Sequence, residues 1–148
     1  MEKSKFVFCD IYSVKILVYV GSPGGCNDFT GRHFNLDKNN KIAVVRETCD
    51  LGGAVNIISR IEDGSINSFI IFINDAACNN KFKQSFESIL AHESYHLAVD
   101  ILEYKGIDHG GVKNEQMAYM IQWVYETVFN LVAKWKKDNA KKKKRKPV

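Results

Sequence analysis

In the first half of the chain apolar residues alternate with polar ones or run together in short blocks. In the second half they recur every three or four positions. The first habit suits strands and the second suits helices. From Phe6 to Val20 the pattern is extended, with the β-branched set Val14, Ile16, Val18 and Val20 alternating with Lys15, Leu17 and Tyr19. Gly21-Ser22-Pro23-Gly24-Gly25 reads as a turn, and no Gly-Lys-Ser/Thr follows to make it a phosphate loop. Residues 26–41 are polar and irregular, with His33 a loop histidine among them. Ile42 to Thr48 predicts a strand broken by Gly52-Gly53. Val55 to Ile61 and Ile66 to Ile73 flank Glu62-Asp63-Gly64-Ser65, a hairpin signal. Phe69-Ile70-Ile71-Phe72-Ile73 contains no polar residue, as expected of a strand covered on both faces.

Two helices follow. Phe86, Ile89, Leu90, Leu97, Ala98, Ile101 and Leu102 are spaced like one buried helix face. They predict a helix from near Phe82 to Tyr104, stopped by Lys105-Gly106. A second begins around Asn114, with its stripe at Met117, Met120, Ile121, Val124, Val128, Leu131, Val132 and Trp135. A connection of roughly eight residues lets the two pack antiparallel. The fold class is therefore α+β: a small, largely antiparallel sheet of about four strands, then two long packed helices on one of its faces.

At 148 residues the chain is one domain by length, and its 45% hydrophobic and 26% charged content is that of a globular protein. Asp10 and Lys15 interrupt the N-terminal apolar runs, which argues against a signal peptide or a membrane span. Cys9, Cys26, Cys49 and Cys78 are widely spaced, form no CxxC pair and read as free thiols; nothing near Cys78 would activate it as a nucleophile. Charge changes the picture more. Nine basic residues and one acidic one, Asp138, lie between Lys134 and Lys146. That segment carries +8, and residues 1–133 are left with −4 against a total of +4. We therefore divide the chain into a domain, residues 1–135, and a basic tail, residues 136–148, in which the block from Lys141 to Lys146 is expected to be disordered. Such a tail is either a solvated end or a tether to nucleic acid or another polyanion.

The chemistry concentrates in His92-Glu93-Ser94-Tyr95-His96. On a helix, residues four apart share a face, about 6 Å apart at Cβ, so His92 and His96 can hold one Zn²⁺ through neighbouring nitrogens. Glu93 is then placed to act as general base on a water at the metal. A catalytic zinc needs a third protein ligand. Glu115 is the best candidate, because antiparallel packing returns the start of the second helix towards the histidine turn.

These residues resemble the gluzincin branch of the zinc metallopeptidases. There, HExxH is followed on the next helix by an Asn-Glu pair whose glutamate completes a His/His/Glu site. The block from Ser68 to Tyr125, with Asn114-Glu115-Gln116-Met117-Ala118-Tyr119, is also similar to short zincin-like proteins encoded by tailed phages. Tyr119 stands where many gluzincins have an aspartate that orients a histidine, and Asp100 is a possible substitute. The resemblance implies zinc-dependent peptide-bond hydrolysis, with His92, His96 and Glu115 as ligands and Glu93 as catalytic base. His109 and Tyr119 are candidates to steady the oxyanion. It also implies that the strand before the active-site helix, Ile66 to Asn74, offers an edge to an extended peptide; the alternative is that this strand is core, its edge covered by Asp75–Lys83. A phage-type protein would work in the cytoplasm of a host cell or on a virion. The competing reading is a non-catalytic, metal-binding structural or interaction protein held to a polyanion by its tail.

Overall fold

The computed structural model describes residues 2–34, 52–59, 66–75, 84–108 and 114–144. Strand β1 (Lys3–Cys9) and strand β2 (Val14–Gly21) pair antiparallel, from Lys3 opposite Val20 to Cys9 opposite Val14. The extended stretch expected from Phe6 to Val20 is thus two strands. It reverses at Asp10–Ser13, where the Ser13 amide donates to the Asp10 carbonyl at 3.3 Å and Ser13 takes φ 50°. Helix α1 (Pro23–His33) comes next, where the sequence predicts a turn and irregular chain. Ser22 is its N-cap, accepting from the Gly25 amide at 3.1 Å, and Pro23 supplies the preset φ of a first helical residue. Strand β3 (Gly53–Ser59) and strand β4 (Ile66–Asn74) pair antiparallel, as the hairpin signal requires. The strand expected at Ile42–Thr48 lies outside the described residues.

The sheet order is β1-β2-β4-β3, with β2 and β4 parallel at its centre and two of the three pairings antiparallel. Strand β4 is therefore interior, bonded on both sides. The expectation that its edge receives a peptide is overturned, because from Phe69 to Ile73 it is paired on both sides. The sheet is covered on both faces. Ile16, Val18, Val20, Phe69, Ile71 and Ile73 pack with helix α2 (Phe86–Tyr104) and helix α3 (Glu115–Lys144). Leu17, Tyr19, Ile70 and Phe72 pack on the other side with Cys26 and Phe29 of α1. The two long helices share one face, as expected, and α1, which the sequence does not predict, covers the other; the period-two pattern of β2 conceals that Leu17 and Tyr19 are as buried as their neighbours. Each large side chain buried in these two layers contributes about 1.5–3 kcal/mol.

Helix α2 is capped by Ser85, which accepts from the Ser88 amide at 3.1 Å. It ends where Lys105-Gly106 predicts: Gly106 takes φ +66°, and the Ile107 amide donates back to the Leu102 carbonyl at 2.9 Å. Asn114 starts α3. Its side-chain oxygen accepts from the Met117 amide at 2.9 Å, while its amide group donates to the Asp108 carbonyl at 2.9 Å, latching the helix start to the chain leaving α2. The helices pack antiparallel, with the Phe129 ring 6.4 Å from that of Phe86 and Lys136 Nζ 4.9 Å from the Phe86 ring centre. The boundary drawn at residue 135 does not interrupt α3, which continues as helix to Lys144. Among the described residues no helix is long and apolar enough to cross a membrane. Cys9 and Cys26 are buried free thiols on opposite faces of the sheet; Cys49 and Cys78 lie outside the described residues.

Candidate metal centre

His92, Glu93 and His96 all sit on α2. Their neighbours Ile89, Leu90, Leu97, Ala98 and Ile101 are buried, which fixes the rotation of the helix about its axis. That rotation leaves both histidines exposed and turns Glu93 inward, where 7% of its surface remains accessible. The two Nε2 atoms lie 3.0 Å apart, with ring planes at 71°. Two imidazole nitrogens bound at 2.0–2.1 Å to one tetrahedral ion stand about 3.3 Å apart. The pair therefore has nearly the spacing of a chelate. Without an ion the same contact is a hydrogen bond in which one neutral ring donates to the other.

Glu93 is received by β3. A Cβ on Gly53 would come 2.7 Å from Glu93 Cγ and 2.7 Å from the Phe72 carbonyl oxygen. A Cβ on Gly52 would come 2.8 Å from Ile89 Cγ1. The two glycines let α2 lie close against the start of β3. In the sequence the pair signals a strand break, but a glycine pair beside a strand also marks close approach, and that is its use here. Burial raises the Glu93 pKa, with the neighbouring His92 pulling the other way. Asp100, one turn beyond His96, is half-buried. Its pKa is raised by burial and by Glu103, and lowered by His96, so the carboxylate lies within electrostatic reach of that imidazole.

Glu115 stands elsewhere. It is exposed in the first turn of α3 and lines a cavity of about 260 Å³ with Cys9, Ile11, Tyr12, Tyr119 and Trp123. Among the described residues no three His, Cys, Asp or Glu side chains gather closely enough to hold a metal ion, so Glu115 does not complete a three-donor set with His92 and His96 in this conformation. Tyr119 is 68% exposed and shares the Glu115 cavity; His109 lies outside the described residues. His33 ends α1 among the rings of Phe6, Phe29 and Phe34, stacked on Phe29 at 5.6 Å, and serves packing there. The Ser94 hydroxyl is fully buried and, among the described residues, has no hydrogen-bond partner.

Comparison with family models, with curated proteins and with solved structures returns no match.

Proposed function

We propose that the chain is a zinc-dependent peptide hydrolase in which His92 and His96 hold the metal and Glu93 is the general base; Glu115 is the candidate third ligand to test, and it reaches the pair only if the start of α3 moves from its present place. The observation that carries this reading is the pair of Nε2 atoms 3.0 Å apart, with a carboxyl group held inward at the next position. A zinc ion there would supply a Lewis acid and bring the pKa of water towards about 7. Glu93 takes a proton from the attacking water and passes it to the leaving amine. Its raised pKa suits both steps, since a base poised nearer neutrality also returns the proton readily. Asp100, whose carboxylate feels the charge of His96, is the candidate to orient that imidazole.

A second reading has its own support. The donor set among the described residues stops at two histidines, and a non-catalytic metal there would draw its remaining ligands from a partner chain. One experiment separates the two. Metal content and cleavage of a generic unfolded protein are measured for wild type, Glu93→Gln and Glu115→Ala. On the catalytic reading Glu93→Gln keeps its zinc and loses at least about a hundredfold in rate, the usual minimum for a general base. Glu115→Ala loses zinc. Zinc bound by wild type with no cleavage at any pH supports the structural reading. Full zinc content in Glu115→Ala removes that residue from the site.

A further inference from the structure

We infer that the C-terminal end of α3 is a docking surface for nucleic acid, engaging the phosphate backbone without reading sequence. This inference is independent of the metal centre. It starts from length. Helix α3 has 30 residues and α2 has 19, and the antiparallel packing places Lys136 over Phe86, the first residue of α2. From Lys137 to Lys144 the helix runs on past that point for about 12 Å at 1.5 Å per residue. Burying apolar surface does not account for the extension, because Ala140 is the one apolar residue between Lys136 and Lys144.

Charge supplies the reason instead. Lys134, Lys136, Lys137, Lys141 and Lys142 are exposed, and Asp138 is the one acid among them. Lys134, Lys137 and Lys141 are spaced by three and four and form one stripe, with Lys136 and Lys142 on its flanks. Like charges at this spacing weaken a helix. The helix dipole offsets the cost only in the last turn. Lys134 and Lys137 lie before that turn; Asp138, four residues from both Lys134 and Lys142, offsets part of the cost, and a bound polyanion is the compensation that fits the rest. One strand of DNA presents a phosphate charge about every 3.4 Å of duplex axis, close enough together to engage the whole stripe.

The chemistry favours nucleic acid over a bilayer. A helix that lies in an anionic membrane needs an apolar face to bury, and this segment has none. The net −4 of residues 1–133 repels a polyanion from the body, so contact is made by the extension with the domain held away. The aromatic contacts at its base, Phe129 with Phe86 and Lys136 over Phe86, fix the direction in which it leaves the domain.

The test uses the full chain and a fluorescently labelled single-stranded oligonucleotide of about 20 nucleotides, titrated by anisotropy at several salt concentrations. Wild type should bind, with log K falling linearly against log salt. The combined variant Lys134→Gln, Lys137→Gln, Lys141→Gln, Lys142→Gln should bind at least tenfold more weakly. Its slope should be shallower by about 3, since each lysine that neutralises a phosphate of a single strand adds about 0.7 to the slope. Arginine at the same four positions should preserve binding, and circular dichroism checks that each variant keeps its helix. No anisotropy change for wild type at low salt overturns the inference. So does an unchanged slope in the glutamine variant, or sedimentation with phosphatidylserine vesicles that the oligonucleotide does not compete away.

Discussion

On the α1 face of the sheet the buried hydroxyl of Thr30 is placed to donate to the Cys26 carbonyl at 3.0 Å, and Ser22 both caps α1 and donates to a Glu2 carboxylate oxygen at 2.9 Å. On the α2 face the buried hydroxyl of Ser94 has no partner among the described residues, and Glu93, an ionisable group, is all but covered. The same two central strands, β2 and β4, floor both layers, so the strands do not cause the difference. A buried polar group left unpaired costs about 1–3 kcal/mol, and a carboxyl taken out of water resists ionising. One face has settled its polar groups for stability. The other carries unsettled ones on the helix that presents His92 and His96. The proposed metal site accounts for that asymmetry, since functional sites are where local packing rules are broken.

The contrast breaks most directly at Gly53. Replacing it with alanine puts a methyl group 2.7 Å from both Glu93 Cγ and the Phe72 carbonyl, and the carbonyl belongs to an interior strand that cannot give way. We expect a loss of about 1–3 kcal/mol, the usual penalty of overpacking, measured by chemical denaturation. If Glu93 is the base, hydrolysis should fall as well, because the carboxyl must move to make room. Unchanged stability would mean that α2 is not seated on β3 at this point.

Next in size is an effect on the α1 face that appears only in alkali. Burial raises the Tyr19 pKa to about 12, with the charges of Glu2, Cys26 and Asp28 adding to it. An unfolded tyrosine ionises near about 10. Between these values the folded protein holds a proton that the unfolded chain has released, so the Tyr19 contribution is intact below about pH 10 and is lost as pH rises towards about 12, beside a separate loss from Cys26, whose thiol is also pushed up to about 12 by burial. Tyr19→Phe should remove the tyrosine component. Parallel loss of stability in wild type and variant over that window would show that other groups govern it.

How much of this is legible in the chain depends on the range over which each signal acts. Helix α2 and its stop at Lys105-Gly106 are written in local periodicity and one φ-positive glycine, and both stand where expected. The residues Asn114-Glu115 mark the start of α3 correctly, because Asn114 is a cap and capping is local. The strand order is not legible. The parallel pairing of β2 with β4 joins segments about fifty residues apart, and it is this pairing that makes β4 interior. Helix α1 is hidden by Pro23-Gly24-Gly25, which as turn residues outweigh the Ser-Pro start signal they adjoin. At the candidate site, the convergence of His92 and His96 follows from four-residue spacing within one helix. The placement of Glu115 depends on how two helices meet, which no spacing along the chain specifies.

The smallest expected effect is a gain, and it serves as the control for Gly53. Gly24 lies in the first turn of α1, and a Cβ built there meets nothing within 4 Å. Gly24→Ala therefore adds no clash and removes backbone freedom from the unfolded chain, worth about 0.4–1 kcal/mol of added stability. The two substitutions change the same atom on opposite faces of one sheet and should move the denaturation midpoint in opposite directions. If both lower it, the α1 turn is as tightly constrained as the seat of Glu93, and the contrast between a settled face and a working face fails at its stable end. If Gly24→Ala raises the midpoint while Gly53→Ala lowers it, the tight seat of α2 is specific to the approach of Glu93 to β3, as the open space at Gly24 beside the closely packed Gly25 implies for α1.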